Sequence, residues 1–299
     1  MALNSSGPIS LAGTITGQSI ELELLGNGTT QISLNDAAVR TLAGVPSGAI
    51  TMPTNFYGKS SVYDTTLYVN QTDMNLRTWA LSNGWDGVAT LEVTIYSNIQ
   101  ITASSTSNAA MTISGSFPNG VTLTNNGLIL GKGGTGGTGG SGSGGAGGGG
   151  ASGGTGLSVS SACTIYNYNT IGGGGGGGGG GAPTAVLYGA GGGGGGGAGF
   201  GVGGSRGDTR AGPNGASNGS TGGATTGGAG GSGWGATGRG ASAGGNGGTG
   251  GGLGSDGGSG TRSADGTYGG YGGGSAGNAV VGNSLITWAA TGTRLGPIS

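Results

Sequence analysis

The sequence predicts a two-part fold: a small α+β, mostly β, N-terminal region, followed by a glycine-rich polyproline-II (polyglycine II) helix sandwich with connecting loops. Three observations predict it. Glycine makes up 87 of 299 residues, about 29% against a usual share of about 7%. It is unevenly placed, with 71 of the 87 between Gly131 and Gly277. Within that stretch several sets of small residues recur at intervals of three.

The first 130 residues read as ordinary globular sequence. Ser19-Ile20-Glu21-Leu22-Glu23-Leu24-Leu25 alternates polar and apolar, which predicts a half-exposed strand. Asn35-Asp36 caps a short helix that carries Val39 and Leu42 on one face and closes at Gly44. Residues 61–130 form a small α+β domain. There Asp73 caps a second helix, with Leu76, Trp79 and Ala80 at helical spacing, ending at Gly84. Leu91, Val93 and Ile95 alternate as a strand, and short strands follow at Met111-Thr112-Ile113 and Val121-Thr122-Leu123. An internal repeat then crosses into the second half. Val121 to Gly131 and Cys163 to Gly172 each read as a strand, an asparagine turn, an apolar stretch and an entry into polyglycine. Two such units predict stacked turns of a parallel coil.

Composition alone makes residues 131–277 a flexible linker. The phase of the non-glycine residues argues otherwise. A polyproline II helix has three residues per turn, ~3.1 Å rise and no internal hydrogen bonds. Its peptide groups point sideways and need outside partners. Glycine, lacking Cβ, lets neighbouring backbones come close enough to supply them. A surrounded helix is glycine throughout, as in Gly172 to Gly181 and Gly191 to Gly197. An edge helix carries one outward residue per turn. Thr135, Thr138 and Ser141 fit that pattern, as do Thr226, Ala229 and Ser232, and Asn246 and Thr249.

Charge and residue usage exclude several functions. Charged residues are 6% of the chain, with 9 Lys plus Arg against 10 Asp plus Glu. That balance excludes a basic nucleic-acid binder and a polybasic membrane anchor. Histidine is absent and Cys163 is alone, so no intrachain disulfide and no Cys/His metal site is expected. The expectation is a protein without catalysis, cofactor or metal. No signal peptide and no apolar run of membrane-spanning length is read. Gly58-Lys59-Ser60 fails as a phosphate loop because Pro53 stands where the earlier glycine belongs. Arg206-Gly207-Asp208 matches an integrin-binding tripeptide and reads as coincidence, and Cys163 reads as a small buried side chain.

Interruptions of the polyglycine runs are loops at helix ends, and loops on a rigid scaffold carry binding. The first interruption is 183–188, ending in Tyr188. The second, 205–220, holds Arg206, Asp208, Arg210, Pro213, Asn214 and Asn218. A third contains Trp234 and Arg239, and 255–271 holds Asp256, Arg262, Asp265, Tyr268 and Tyr271. Tyr, Trp and Arg are the side chains best suited to anchor a partner. The binding candidates are therefore Tyr188, Arg206, Asp208, Arg210, Trp234, Arg262, Asp265 and Tyr268.

Two stretches resemble a known family. Gln31 to Arg40, through Gly58-Lys59-Ser60, resembles a segment recurrent in bacteriophage tail proteins. The half from Gly131 onward, with Gly277-Asn278-Ala279-Val280-Val281-Gly282 and Leu295-Gly296-Pro297, resembles the adhesins at the tips of T-even-type long tail fibres. The resemblance implies a sandwich of polyglycine helices whose variable loops recognise a receptor, protein or glycan, on the host bacterial surface. It implies a place at the distal tail or tail fibre tip of the virion, without membrane insertion or nucleic-acid binding. On this reading 1–60 is a virion-attachment segment contacting other phage tail proteins. Residues 131–277 are the receptor-binding domain and 278–299 close the fold. Residues 1–130 depart from that family's fibre-attachment domain. Two other readings stand beside it: a purely structural tail component, and an ice-binding polyglycine-helix protein, for which thermal hysteresis is the assay.

Overall fold

The computed structural model describes residues 2–142, 144–185, 189–208, 215–235 and 242–299. Packing divides the chain into two units. The first comprises Met1–Thr66, Thr78–Thr94 and Ser116–Leu123, and the second Leu67–Arg77, Ile95–Gly115 and Thr124–Ser299. The α-helices are α1 (Ile20–Glu23), α2 (Ala37–Ala43) and α3 (Leu76–Ser82). The strands in chain order are β1 (Val62–Leu67), β2 (Gln71–Thr72), β3 (Met74–Asn75), β4 (Thr90–Ile95), β5 (Gln100–Thr102), β6 (Met111–Ile113) and β7 (Val121–Asn125). They continue as β8 (Leu128–Leu130), β9 (Leu157–Val159), β10 (Cys163–Asn167), β11 (Thr170–Gly172), β12 (Val280–Val281), β13 (Ile286–Ala290) and β14 (Thr293–Leu295).

The first unit has its own core of Leu3, Ile20, Val39, Leu42, Ala43 and Phe56. α2 forms where the sequence places it. The Asp36 carboxylate accepts from Ser33 N–H at 2.7 Å, fixing the entry turn. Gly44, at φ 70°, closes the helix by donating to Thr41. The expected strand at 19–25 is instead α1. Ser19 Oγ accepts from Leu22 N–H at 3.2 Å and caps it. The alternation misleads because Glu21 and Glu23 are buried rather than outward. Glu21 accepts from the Asn27 and Gly28 N–H groups, and Glu23 from Ser61 N–H, so each carboxylate replaces water with backbone donors.

The second unit is a coil of parallel strands. β2, β5, β8, β11 and β14 lie side by side in sequence order, as do β3, β6, β9 and β12. The pairings in both sheets are parallel, and β10 pairs with β13 in the same sense. Sequential order with parallel pairing means that each circuit adds one strand to each sheet. The strands are only two to five residues long, so stacking must hold them. Ile101, Ile129 and Ile171 align in one buried ladder, and Met74, Met111, Leu157 and Val280 in another. In the last circuit Arg294 takes the place next to Ile171, with its guanidinium 4.8 Å from the Trp288 ring centre. A charge at that edge blunts further strand pairing.

A buried polar ladder marks another edge of the coil. Asn125 and Asn167 are fully buried. Asn125 Nδ2 donates to Asn167 Oδ1 at 2.8 Å, and Asn167 Nδ2 donates to the Thr291 carbonyl at 2.8 Å. Gly127 N–H donates to Asn125 Oδ1.

At the β2–β3 corner Asp73 alone joins the strands, at φ 51°. It does not cap α3, which starts two residues beyond β3's Met74. Its carboxylate instead accepts from the hydroxyl and N–H of Ser104 on the next circuit. Desolvation pushes this carboxyl up, and those bonds with a further one from Asn108 outweigh it and bring it below its ordinary value.

The glycine-rich residues enter at the equivalent corners of later circuits. They occupy 131–156 between β8 and β9, and 173–279 between β11 and β12. The span 131–277 that composition marks as one stretch is thus crossed by β9, β10 and β11. Among the described residues of the two insertions there is no helix or strand, only isolated bridges.

Hydrogen bonding within the insertions is ordered. Gly174, Gly177 and Gly180 donate to Gly154, Ala151 and Gly148. Gly175, Gly178 and Gly181 donate to Ala198, Gly195 and Gly192, and Gly176, Gly179 and Ala182 donate to Ser255, Gly258 and Thr261. The carbonyls of the same run accept, again at intervals of three, from segments 134–140, 245–251 and 271–277. One glycine run therefore has six hydrogen-bonded neighbours. Gly191 to Gly197 repeats the arrangement, donating to segments 134–140, 245–251 and 217–223. Both runs are buried, whereas Thr135, Thr138, Thr226, Ala229, Ser232, Asn246 and Thr249 are exposed. A Cβ on Gly177 would overlap the Thr135 carbonyl, while one on Gly272 would meet nothing within 4 Å.

Candidate functional site

The chain runs back and forth through the array, and its two ends differ. One end has short turns. Ala198 and Leu253 from two of these turns pack on Leu130 of β8, joined by Leu128 and Ala224. The opposite end collects the described residues of the longer connections, among them 141–142, 144–146, 183–185, 189, 208, 215, 235, 242–243 and 262–269. Antiparallel succession of segments forces this separation, because every outward run ends in a loop and every return ends in a turn or rejoins the coil.

Hydrogen bonds tie the loops to each other. Asp208 N–H donates to Ser141 Oγ at 3.2 Å, and Gly142 N–H donates to the Asp208 carbonyl at 3.0 Å. Gly144 N–H donates to the Thr184 carbonyl at 3.1 Å. Ala264 N–H donates to the Ala243 carbonyl at 2.9 Å. Trp234 and Ala190 exchange two backbone bonds, at 2.8 and 3.0 Å. Tyr271 Oη accepts from Gly147 N–H at 2.6 Å.

Asp265 is the main connector. Its Oδ1 accepts from Ser263 Oγ at 2.6 Å and Thr267 N–H at 3.0 Å. Its Oδ2 accepts from Ala185 N–H at 3.3 Å. Ser263's hydroxyl and then Thr267's N–H hold this carboxyl down at about 2. A carboxylate so engaged shapes its own loop and the 183–189 loop together.

The other candidates fall into two groups. Arg262, Asp208 and Tyr268 are exposed at the loop end. The Tyr268 hydroxyl lies against Gly144, where an added Cβ would sit 2.6 Å from Oη. Arg206 and Trp234 are half-buried. Arg206 donates from Nη1 to the Ala216 carbonyl at 3.3 Å, and its N–H donates to Asn218 Oδ1. The Trp234 ring lies flush on Gly215, at φ +95°, leaving no room for a Cβ. Gly207, the middle of Arg206-Gly207-Asp208, donates to Gly191 within the array. That tripeptide is therefore part of the array and not a projecting tip. Tyr188 and Arg210 lie outside the described residues, as do Pro213, Asn214 and Arg239.

Sequence reading missed the loop at 141–146, whose Ser141 bonds Asp208. The signal was available: the Thr135, Thr138, Ser141 phase breaks at Ser143. Asp256 also plays a local part, accepting from Ala276 N–H at 2.7 Å.

No helix among the described residues is long and apolar enough to cross a membrane, and none of their His, Cys, Asp and Glu side chains cluster as a metal site. A cleft of about 430 Å³ in the first unit is lined by Thr41, Ser60, Ser61, Asp86, Thr90 and Asn119 among others. Its carboxylate, Asp86, is occupied by the Val88 and Ala89 N–H groups. Cys163 is buried, and desolvation pushes its thiol up to about 11.

An array of hydrogen-bonded glycine segments with linked polar loops at one end, on a stack of short parallel strands, defines a loop-bearing scaffold. The chain belongs to the phage tail fibre adhesin family Gp38, whose model matches residues 63–299. It is accordingly a tail-fibre protein of the virion, and the expected departure from the family over 1–130 does not hold for 63–130, which the family model covers. The chain is also similar, over 97% of its length, to the whole of a chain in the crystal structure of the gp37–gp38 adhesin tip complex of the bacteriophage S16 long tail fibre, with 24% identity and a TM-score of 0.55. No curated protein matches it at a significant level.

Proposed function

We propose that this protein sits at the distal tip of a phage tail fibre and binds a receptor on the host bacterial surface through the loops at the free end of its glycine array. The observation that carries this reading is that described loop residues at one end are cross-linked by the Asp265–Ala185, Asp208–Ser141, Gly144–Thr184 and Ala264–Ala243 hydrogen bonds. Loops fixed in advance lose little freedom on binding, which favours affinity. Arg262 and Tyr268 are the exposed anchors. Tyrosine stacks on a sugar or covers an outer-membrane protein loop, and arginine forms forked bonds to phosphate or carboxylate. Residues 1–60 join the protein to another tail protein, a reading supported by the relative's presence in a complex with gp37. The array itself we read as a polyglycine II sandwich. Partner changes at each residue and recurrence at every third residue support that description.

Alanine substitution of Arg206, Arg262 and Tyr268, one loop at a time, with adsorption to host cells as readout, tests the assignment. Folded variants with reduced adsorption support it. If every loop variant adsorbs like the parent while changes within 1–60 abolish adsorption, the array is a spacer.

A further inference from the structure

Four tyrosines of the second unit share one edge of the coil. Backbone bonds fix the alignment. Tyr96 N–H donates to the Leu67 carbonyl at 3.1 Å, Asn126 N–H to Ile95 at 3.1 Å, and Tyr168 N–H to Asn125 at 2.9 Å. Tyr68, Tyr96, Asn126 and Tyr168 therefore occupy one column on successive circuits. Adjacent parallel strands lie ~4.8 Å apart, so the column is about 14 Å long. Tyr166, two residues before Tyr168, adds a second ring beside it. The Tyr68 and Tyr96 ring centres are 5.4 Å apart, and those of Tyr166 and Tyr168 are 6.3 Å apart.

Folding gives these rings no evident task. They are 37–67% exposed. Among the described residues none of the four hydroxyls has a hydrogen-bond partner. Tyr57, Tyr63 and Tyr271 differ, since each hydroxyl is bonded to a backbone group. The surrounding segments 67–70, 95–99, 124–128 and 164–170 contain no charged residue. Their other exposed or half-exposed side chains are mainly Asn, Thr and Ser.

We propose that this column is a binding site for a neutral saccharide chain, separate from the loops. Ring faces offer apolar platforms for the C–H faces of sugars, and the free hydroxyls and nearby amides offer donors and acceptors. The lack of charge disfavours phosphate and acidic sugars. Protein partners are commonly anchored by arginine, and none of these four segments contains one. The proposal rests on the chain being a tail-fibre adhesin and is independent of where the loops bind.

The test uses the full chain with maltotetraose, mannotetraose, galactotetraose and chitotetraose as probes, followed by saturation-transfer NMR and titration. At least one tetramer is expected to bind at millimolar concentration. The pairs Tyr68→Ala/Tyr96→Ala and Tyr166→Ala/Tyr168→Ala weaken it about tenfold or more, a loss of about 1.4 kcal/mol per tenfold. The corresponding Phe pairs, which keep the rings, retain most of the binding and control for folding. A loss of tetramer binding in Arg262→Ala/Tyr268→Ala that the tyrosine pairs do not show would place the saccharide at the loops and overturn the proposal. Absence of binding by all four tetramers, or alanine pairs that bind like the parent, overturns the proposal.

Discussion

Asp265 accepts a hydrogen bond from the backbone N–H of Ala185 at 3.3 Å, linking two loops whose residues are 80 positions apart in the chain. The same carboxylate holds its own loop through Ser263 and Thr267. One ionised group thereby sets the relative positions of two candidate binding loops.

The pH dependence of that link follows from its sign. The Asp265 carboxyl is held at about 2, below an ordinary value near 3.9. A depressed pKa contributes stability that is present above the unfolded value and lost as pH falls through the folded one. Hydrogen-exchange protection of the Ala185 amide is expected to persist above pH 4 and to fall between about 4 and 2. Asp265→Ala is expected to remove that protection at neutral pH. Equal protection in parent and variant would show that the link does not order the loops.

Glycines in the array differ sharply in what they tolerate. Gly177→Ala places a Cβ on the Thr135 carbonyl, whereas Gly272→Ala meets open space. The first separates neighbouring backbones, and each buried peptide group left unpaired costs roughly 1–3 kcal/mol. Gly177→Ala is expected to lower the melting temperature strongly, with Gly272→Ala and Thr138→Val close to the parent. Similar melting temperatures for Gly177→Ala and Thr138→Val would contradict the six-neighbour arrangement.

Asn167 is fully buried and bonded on both sides of its amide. Asn167→Ala leaves the Asn125 amide and the Thr291 carbonyl unpaired. Its cost is expected to be roughly 2–3 kcal/mol by chemical denaturation. A change within experimental error would mean that the ladder contributes little.

Cys163 supplies a reporter of the coil. Its thiol, pushed up to about 11 by burial, is almost wholly protonated at pH 8. Alkylation by iodoacetamide at that pH is expected to be negligible in the native protein and rapid in denaturant. Fast native labelling would place the thiol at the surface.

Part of this architecture was legible in the residues. The period of three separates exposed Thr135, Thr138, Ala229 and Thr249 from the buried runs, because only an outward position accepts a Cβ. The coil was visible in its later circuits, where Val121 to Gly131 and Cys163 to Gly172 repeat. Its first circuits were hidden, since β2 and β3 have two residues each, too few to display alternation. α1 was misread because its glutamates are buried with backbone donors. Interruptions of glycine marked the loops only in part: 217–220 and 255–261, read as loop, lie in the hydrogen-bonded array, because small residues on an outward face interrupt glycine as a loop does. Which loops meet depends on hydrogen-bond register between distant segments, and so Asp265 looked like a contact residue when its carboxylate is spent within the protein.

The burial of peptide groups rather than hydrocarbon within the glycine array gives it an unusual temperature response. Exposing apolar surface raises the heat capacity on unfolding, and exposing polar surface lowers it. The coil, with its isoleucine and methionine ladders, follows the usual curved dependence. Interior runs such as Gly172 to Gly181 release chiefly amides, so their share of the heat-capacity change is small or negative. Their stability varies more nearly linearly with temperature and does not fade in the cold as hydrocarbon packing does. The array thus holds its loops in place over a wider range of temperature than hydrocarbon packing alone would allow.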